Sequence, residues 1–525
     1  MRDFHMPGRS ATYAANGMCA TSHPLAAKVA IDILQAGGNA ADAAIAGAVL
    51  LGICEPQMTG IGGDCFILLK PAGTEQVLAL NGSGRAPRDY SAQAMRARGL
   101  TAVPIQGIEA VTLPGAVDAF CKLSADWGKL GLAPVLAPAI HYAEQGIPVA
   151  PRVAFDWAVD AEALKGAARD FYLVNGAVPQ AGQMFRAPAQ AEVLRRVARE
   201  GRNGFYAGEV AEDMVASLQA LGGTHTLDDF AAVSCDYADP VSGDYKGVEL
   251  VEHPPNGQGA TAILLANILK HFDIAAMDPF GADRAHIEAE AAKLAYDARN
   301  RFLADADHVT RLAHMLDAET AAKLAALIDP ARAMASPAPL SEAVHRDTVY
   351  ITVVDRDRMA VSLIYSVFWG FGSGLASDKF GINFQNRGAG FSLVEGHANE
   401  AAGGKRPMHT IIPGMLRQDG RVTMPFGVMG GAYQPNGHVR FMSNLVDFGM
   451  DVQQAMDAPR CFGALDGLKV ERGYAPAVRA RLAEMGHDVS VPDEPIGGSQ
   501  AIFIGTDGVL VGGSDPRKDG CALGY

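Results

Sequence analysis

The chain has 525 residues, a formal net charge of −14 and a pI near 5.5, with 49% hydrophobic and 19% charged residues. That apolar content supplies a large core, and the acidic balance excludes the basic footprint of a nucleic-acid binder. Seven scattered cysteines without a C-x-x-C pair exclude a disulfide framework or zinc motif, and the longest apolar run, near Ala43–Ile53, is too short to span a bilayer.

The first twenty residues lack a continuous apolar leader segment, so a cytoplasmic protein without membrane partners is expected. One short strand is expected in that lead-in. Ser22-His23-Pro24 then opens a helix over 25–35, ended by Gly37-Gly38. Asn39 caps a second helix over 40–53, apolar nearly all round and therefore buried. The glycine-rich turn 59–64 leads into a strand over 65–70. It lacks Gly-Lys-Ser/Thr and runs helix–turn–strand, the wrong order for a phosphate loop.

A strand over 76–80 precedes the loop Asn81-Gly82-Ser83-Gly84-Arg85, with its single cation. The pattern then predicts a short strand over 108–113 and helices over 115–126, 132–145, 152–166, 188–200, 209–221, 260–270 and 283–303. The helix over 283–303 carries Glu288, Lys293 and Arg299 on its polar side. Short helices and a mobile tail over 333–346 follow.

At Thr348 the pattern changes to strands, over 348–354 and 359–367, joined by a hairpin at 355–358. A loop over 392–404, strands over 411–417, 421–427, 468–471 and 501–504, and helices over 435–449, 451–457 and 475–485 complete the chain. Neither half holds a full complement of strands and helices, so one interlocked body is expected.

The fourteen histidines contain no H-E-x-x-H, and there is no G-x-S-x-G elbow, so neither a metal nor a cofactor is expected. Thr348 is different. If the Asp347–Thr348 bond were cut, one residue would carry both a hydroxyl nucleophile and its own α-amine as base. Downstream, Gly430-Gly431 ends a strand with two unshielded backbone N–H groups, the donors an oxyanion hole requires.

The ordered blocks Ala20-Thr21-Ser22-His23-Pro24, Gly37-Gly38-Asn39-Ala40-Ala41-Asp42, Gly60-Ile61-Gly62-Gly63, Thr112-Leu113-Pro114-Gly115, Gly204-Phe205-Tyr206, Asp347-Thr348, Gly372-Ser373-Gly374, Lys405-Arg406-Pro407-Met408 and Gly430-Gly431 resemble the γ-glutamyltranspeptidases along almost the whole chain. These are proenzymes of the N-terminal nucleophile hydrolase superfamily. The resemblance implies a four-layer αββα sandwich. It also implies self-cleavage before Thr348 into a large subunit, 1–347, and a small one, 348–525. Thr348 would be the nucleophile, Gly430 and Gly431 the oxyanion donors, and Ser366 would stand where the family has a threonine bonded to the nucleophile. A homo-oligomer is compatible with this body.

The departures from the family bear on substrate. Phe368 stands where the transpeptidases place an asparagine. Arg387 and Gly390 stand where they usually carry acidic residues for an α-ammonium, and His409-Thr410 replaces a pair of serines. Arg85 lies two residues from the family's carboxylate-binding arginine and is a candidate stand-in. A cation in place of carboxylates favours a carboxylate ligand, and His409 would hydrogen-bond it or titrate near neutral pH. The pattern M-H-T, N-R-G, M-G-G and Q-P-x-G-H looks like the branch containing oxamate amidohydrolase. The expected reaction is hydrolysis of a small carboxylate-bearing amide, with water as acceptor. The alternatives are a γ-glutamyl hydrolase or transferase acting on glutathione, a cephalosporin-type acylase, and an unprocessed, non-catalytic binding protein.

Overall fold

Two sheets are built mostly from strands whose alternate residues are apolar on both faces. In the computed structural model, residues 5, 8–334, 348–463 and 467–525 are described. The sheet strands, in chain order, are β1 (Thr12–Ala14), β2 (Met18–Thr21), β3 (Asp64–Lys70), β4 (Leu78–Gly82), β5 (Asp236–Ala238), β6 (Val241–Tyr245), β7 (Val248–Glu252), β8 (Val349–Val354), β9 (Ala360–Ser366), β10 (Gly414–Gln418), β11 (Arg421–Met429), β12 (Gly498–Ile504), β13 (Leu510–Ser514) and β14 (Cys521–Gly524). One sheet runs β1-β13-β12-β11-β10-β7-β6 and the other β14-β2-β8-β9-β3-β4-β5. Every pairing in both is antiparallel.

Side-chain alternation decides which layer each strand face meets. Val349, Ile351 and Val353 of β8 join the core formed with α1 (Pro24–Gln35), α2 (Ala40–Cys54), α3 (Ala116–Trp127) and α4 (Leu132–Gln145). Tyr350 points the other way, towards the second sheet, packing with Phe66, Ile364, Ile411 and Met429. The far face of the second sheet, with Phe426 and Val428, packs on α5 (Gly259–Leu269), α6 (Ala282–Phe302) and α7 (Gln434–Val446). The result is a four-layer αββα sandwich, as the sequence led us to expect.

Helix α2 shows how tightly the layers meet. All fifteen of its residues are buried, and a capping box between Asn39 and Asp42 closes its first turn. A side chain at Gly47 would lie 2.4 Å from Ile351 Cδ1, so only glycine lets the helix sit this close to β8 without displacing Ile351.

Several sequence expectations are corrected. Residues 108–113 form a 3₁₀ turn, Ile108–Ala110, and extended backbone without sheet partners. The helix expected over 152–166 ends at Asp160, followed by the 3₁₀ turn Ala161–Ala163, and the backbone turns extended at Leu164 (ψ 129°). Glu288, Lys293 and Arg299 are buried rather than solvated. Glu288 pairs with Arg284 and Arg440, and Lys293 with Glu290. The mobile tail expected over 333–346 lies, from residue 335 on, outside the described residues, as does Asp347. Among the described residues no helix is long and apolar enough to cross a membrane.

Candidate active site

Three neighbouring strands end in polar residues on one face. Val349 faces Tyr365, so Thr348 falls beside Ser366, and Ser366 in turn faces Asp64. Adjacent strands lie about 4.8 Å apart, which places Thr348 and Asp64 about 10 Å from one another with Ser366 between them. By alternation with Tyr350, Thr348 points into the space between the sheets, towards the end of β11. Thr348 is 1% exposed and Ser366 and Asp64 are fully buried.

Gly430 and Gly431 follow β11 directly. Both take positive φ, 122° and 53°, which L side chains rarely adopt. The 3₁₀ turn Gly431–Tyr433 starts there, so the N–H groups at its head lie outside the turn's own hydrogen bonds. Gln258, at the start of α5, donates to the carbonyls of both Thr410 (2.5 Å) and Gly431 (3.1 Å). It thereby ties the two segments together. Arg299 donates to Gln258 Oε1 at 2.9 Å from behind.

Arg387 is wholly buried in the turn Arg387–Gly390. Nη1 donates to Thr410 Oγ1 at 3.1 Å and Nη2 reaches Ser366 Oγ at 3.5 Å. The guanidinium carbon lies 4.0 Å from the centre of the Phe368 ring. Phe368 holds this position with φ 89°, its N–H donating to Ser366 Oγ at 2.8 Å. The Nε–H of Arg387 has no acceptor among the described residues. Burial lowers the Arg387 pKa to about 9, partly offset by the charge of Asp64. A side chain at Gly390 would stand 2.9 Å from the Met408 carbonyl, so the position has no room for an acidic residue without a backbone shift.

Asp64 is the nearest counter-charge. Its Oδ1 accepts from Gly84 N–H (2.9 Å), Gly115 N–H (3.2 Å) and Gln385 Nε2 (2.8 Å). Its Oδ2 accepts from His409 Nε2 at 3.1 Å. Burial raises the carboxyl to about 6, against the opposing charge of Arg387 and these hydrogen bonds. His409 does not titrate near neutrality. It is fully buried, Nδ1 accepts from Ile411 N–H at 3.3 Å, and burial beside Arg387 holds its pKa well below the usual range.

The fold therefore brings together Thr348, Ser366, Phe368, Arg387, His409 and Thr410, with Gly430 and Gly431 at the end of the facing strand. Arg85 lies elsewhere. It donates to the Gly404 carbonyl at 3.0 Å and pairs with Asp305 at 3.3 Å, in a separate cleft with Ser83, Asp229 and Gly403. Sequence reading missed Asp64, Gln258 and Arg299 as members of the site. Only Asp64 left a local signal: it is the one charge at the head of the apolar run Cys65–Leu69. An open cleft beside the turn 387–390 is walled by Trp369, Gly390, Phe391, Met408, Arg299 and His397, among others.

One group among the described residues has metal-ligand types close together: His286, Glu290 and His487. Its polar atoms already have protein partners. His286 Nδ1 and His487 Nε2 share a 2.7 Å hydrogen bond, while Glu290 accepts from Lys293 and from Met334 N–H.

A family model described as gamma-glutamyltranspeptidase matches residues 26–525. The chain is 36% identical to the glutathione hydrolase-like YwrD proenzyme of Bacillus subtilis, covering 97% of this chain and 98% of the relative. It is 35% identical to the oxamate amidohydrolase proenzyme of Klebsiella pneumoniae, covering 98% and 100%. The crystal structure of a cephalosporin acylase from Bacillus halodurans superposes with a TM-score of 0.91 at 38% identity, covering 100% of this chain and 99% of that one. The chain belongs to the γ-glutamyltranspeptidase family and is an N-terminal nucleophile hydrolase.

Proposed function

We propose that the chain is a precursor that cleaves itself before Thr348, giving a large subunit of residues 1–347 and a small one of 348–525, and that the product hydrolyses the amide of a small, carboxylate-bearing substrate of the oxamate type. The observation that carries the substrate reading is Arg387. It is a fully buried cation in contact with Ser366, the cross-strand neighbour of Thr348, and among the described residues its Nε–H has no acceptor and no carboxylate lies in hydrogen-bond contact with it. A substrate carboxylate supplies what this guanidinium lacks, and an α-ammonium would be repelled by it. Both relatives are proenzymes, which supports the processing step, and the one named for oxamate supports the substrate.

Freed Thr348 carries an α-amine whose ordinary pKa is near 8. The amine takes the Thr348 hydroxyl proton as Oγ attacks the amide carbon. The negative oxygen that forms lies against the N–H groups at Gly430 and Gly431. The proton passes to the leaving nitrogen, and water then resolves the acyl-enzyme by the same path in reverse.

A wider reading, release of a dicarboxylic acyl group from an amine, draws on the cephalosporin acylase likeness and on the open cleft beside Gly390. Ammonia release from oxamate, compared with aniline release from a γ-glutamyl anilide and a glutaryl anilide, separates the readings. A dominant γ-glutamyl rate refutes the role given to Arg387. A denaturing gel tests processing: two bands summing to 55.0 kDa are expected, and one stable band refutes it.

A further inference from the structure

The charge balance around Arg387 carries a consequence for binding. Two buried charges flank Ser366: Arg387 Nη2 reaches its Oγ at 3.5 Å, and Asp64 faces it from the neighbouring strand, with no direct ion pair between the two. Placing a substrate carboxylate on Arg387 leaves two anions and one cation in a space shut off from water. Such a site relieves the excess by binding a proton. We propose that Asp64 is a specificity-determining residue that balances the charge of Arg387 across Ser366 and takes up a proton when an anion binds Arg387. This rests on Arg387 as the carboxylate receiver.

The neighbours of Asp64 leave little alternative within the pocket. His409 packs against it and is held neutral, with Nδ1 accepting from Ile411 N–H. His253, stacked 4.0 Å from the Phe66 ring on the adjoining strand end, is pushed down to about 4 by burial. Cys65 is pushed up by burial and stays a thiol. Gln385, Gly84 and Gly115 contribute neutral donors. Arg387 itself, at about 9, and the α-amine of Thr348 in the processed enzyme, ordinarily near pH 8, are both already largely protonated at about pH 6.5 and take up little more. Asp64 itself lies at about 6, close enough for a nearby anion to raise it through neutral pH.

The proton comes from solvent and binds Asp64 Oδ2. The new O–H uses a free lone pair of Oδ2, so His409 Nε2–H keeps its hydrogen bond to that oxygen and Nδ1 still accepts from Ile411 N–H. No other bond is made or broken. Asp64 thus sets how strongly the site holds anions: ionised, it weakens them; protonated, it does not.

The test is titration calorimetry of processed enzyme with oxalate, at about pH 6.5, in two buffers of different ionisation enthalpy. The expected result is uptake of about 0.5–1 proton per oxalate bound, with the dissociation constant falling several-fold per pH unit between about 7.5 and 6.5. In Asp64→Asn the uptake at this pH falls to near zero, and oxalate binds about tenfold more tightly at neutral pH. The wild-type proton count decides the matter even if this variant fails to fold. Binding lost in Arg387→Met but without proton uptake in the wild type overturns the role of Asp64 and leaves that of Arg387 standing. Oxalate that fails to bind, or binds regardless of Arg387, overturns both.

Discussion

Two kinds of buried arginine stand side by side in this protein. Arg440 and Arg460, at the far end of the second sheet, are saturated. Arg440 donates to Glu288 and twice to the Pro459 carbonyl. Arg460 donates to Asp515, Ser499 Oγ and the Ile496 carbonyl. Their carboxylates are held low, Asp515 at about 2 through Arg460 and Arg517 against its burial. Arg387 is as deeply buried but has two hydroxyls, a ring face and, among the described residues, no acceptor for its Nε. Its nearest carboxylate, Asp64, is pushed up instead of down. A saturated buried charge holds elements together; an unsaturated one beside a nucleophile is a binding site waiting for its ligand.

Substitutions that separate these classes range from complete loss to a few-fold. Thr348→Ala should leave one uncut chain with no turnover; a cleaved product on a gel or by intact mass would refute Thr348 as the processing nucleophile. Arg440→Met removes one of the two buried arginines that pair with Glu288 and leaves its Oε2 without that partner, which should cost about 3 kcal/mol of stability, read as a drop in midpoint temperature. Arg387→Met should do the reverse. We expect kcat/KM for oxamate to fall at least about a hundredfold, with the midpoint temperature unchanged or raised, because an under-paired buried charge is removed. If its stability falls as Arg440→Met does, Arg387 belongs with the structural group.

The two carboxylates predict opposite slopes of stability with pH. Asp515 is depressed in the fold, so its contribution is present above about pH 4 and is lost as pH falls towards 2. Asp64 is raised, so its contribution is present below about pH 4 and is lost as pH rises through 6. Asp64→Asn should therefore flatten the stability profile between about pH 4 and 6, and Asp515→Asn the profile below it. The smallest effect is expected for Thr410→Val, which removes one hydrogen bond to Arg387. It should raise the KM for oxamate a few-fold and leave kcat nearly unchanged.

Much of the fold was legible because its signals are local. Helix α2 is apolar on every side, and Thr348 begins an alternating strand after a charged segment. Strands such as β5, β13 and β14 are three to five residues long, and β13 carries Gly512-Gly513. They exist through pairing with distant partners, which no window of sequence displays. The site divides the same way. Thr348, Arg387 and Gly430 stood out by motif, whereas Asp64, Gln258 and Arg299 acquire their roles where segments from both halves of the chain converge. Arg85 and the polar face assigned to α6 misled because an isolated cation reads alike whether it faces solvent, a carbonyl or a buried carboxylate.

The measurement that bears most directly on the site is the ratio of kcat/KM for oxamate to that for oxamide, its neutral diamide counterpart, in wild type and in Arg387→Met. A cation that receives a carboxylate should favour oxamate by about a hundredfold or more in the wild type, and the ratio should collapse towards one in the variant. Equal rates on the two amides in the wild type, or a preference that survives loss of Arg387, would contradict the account.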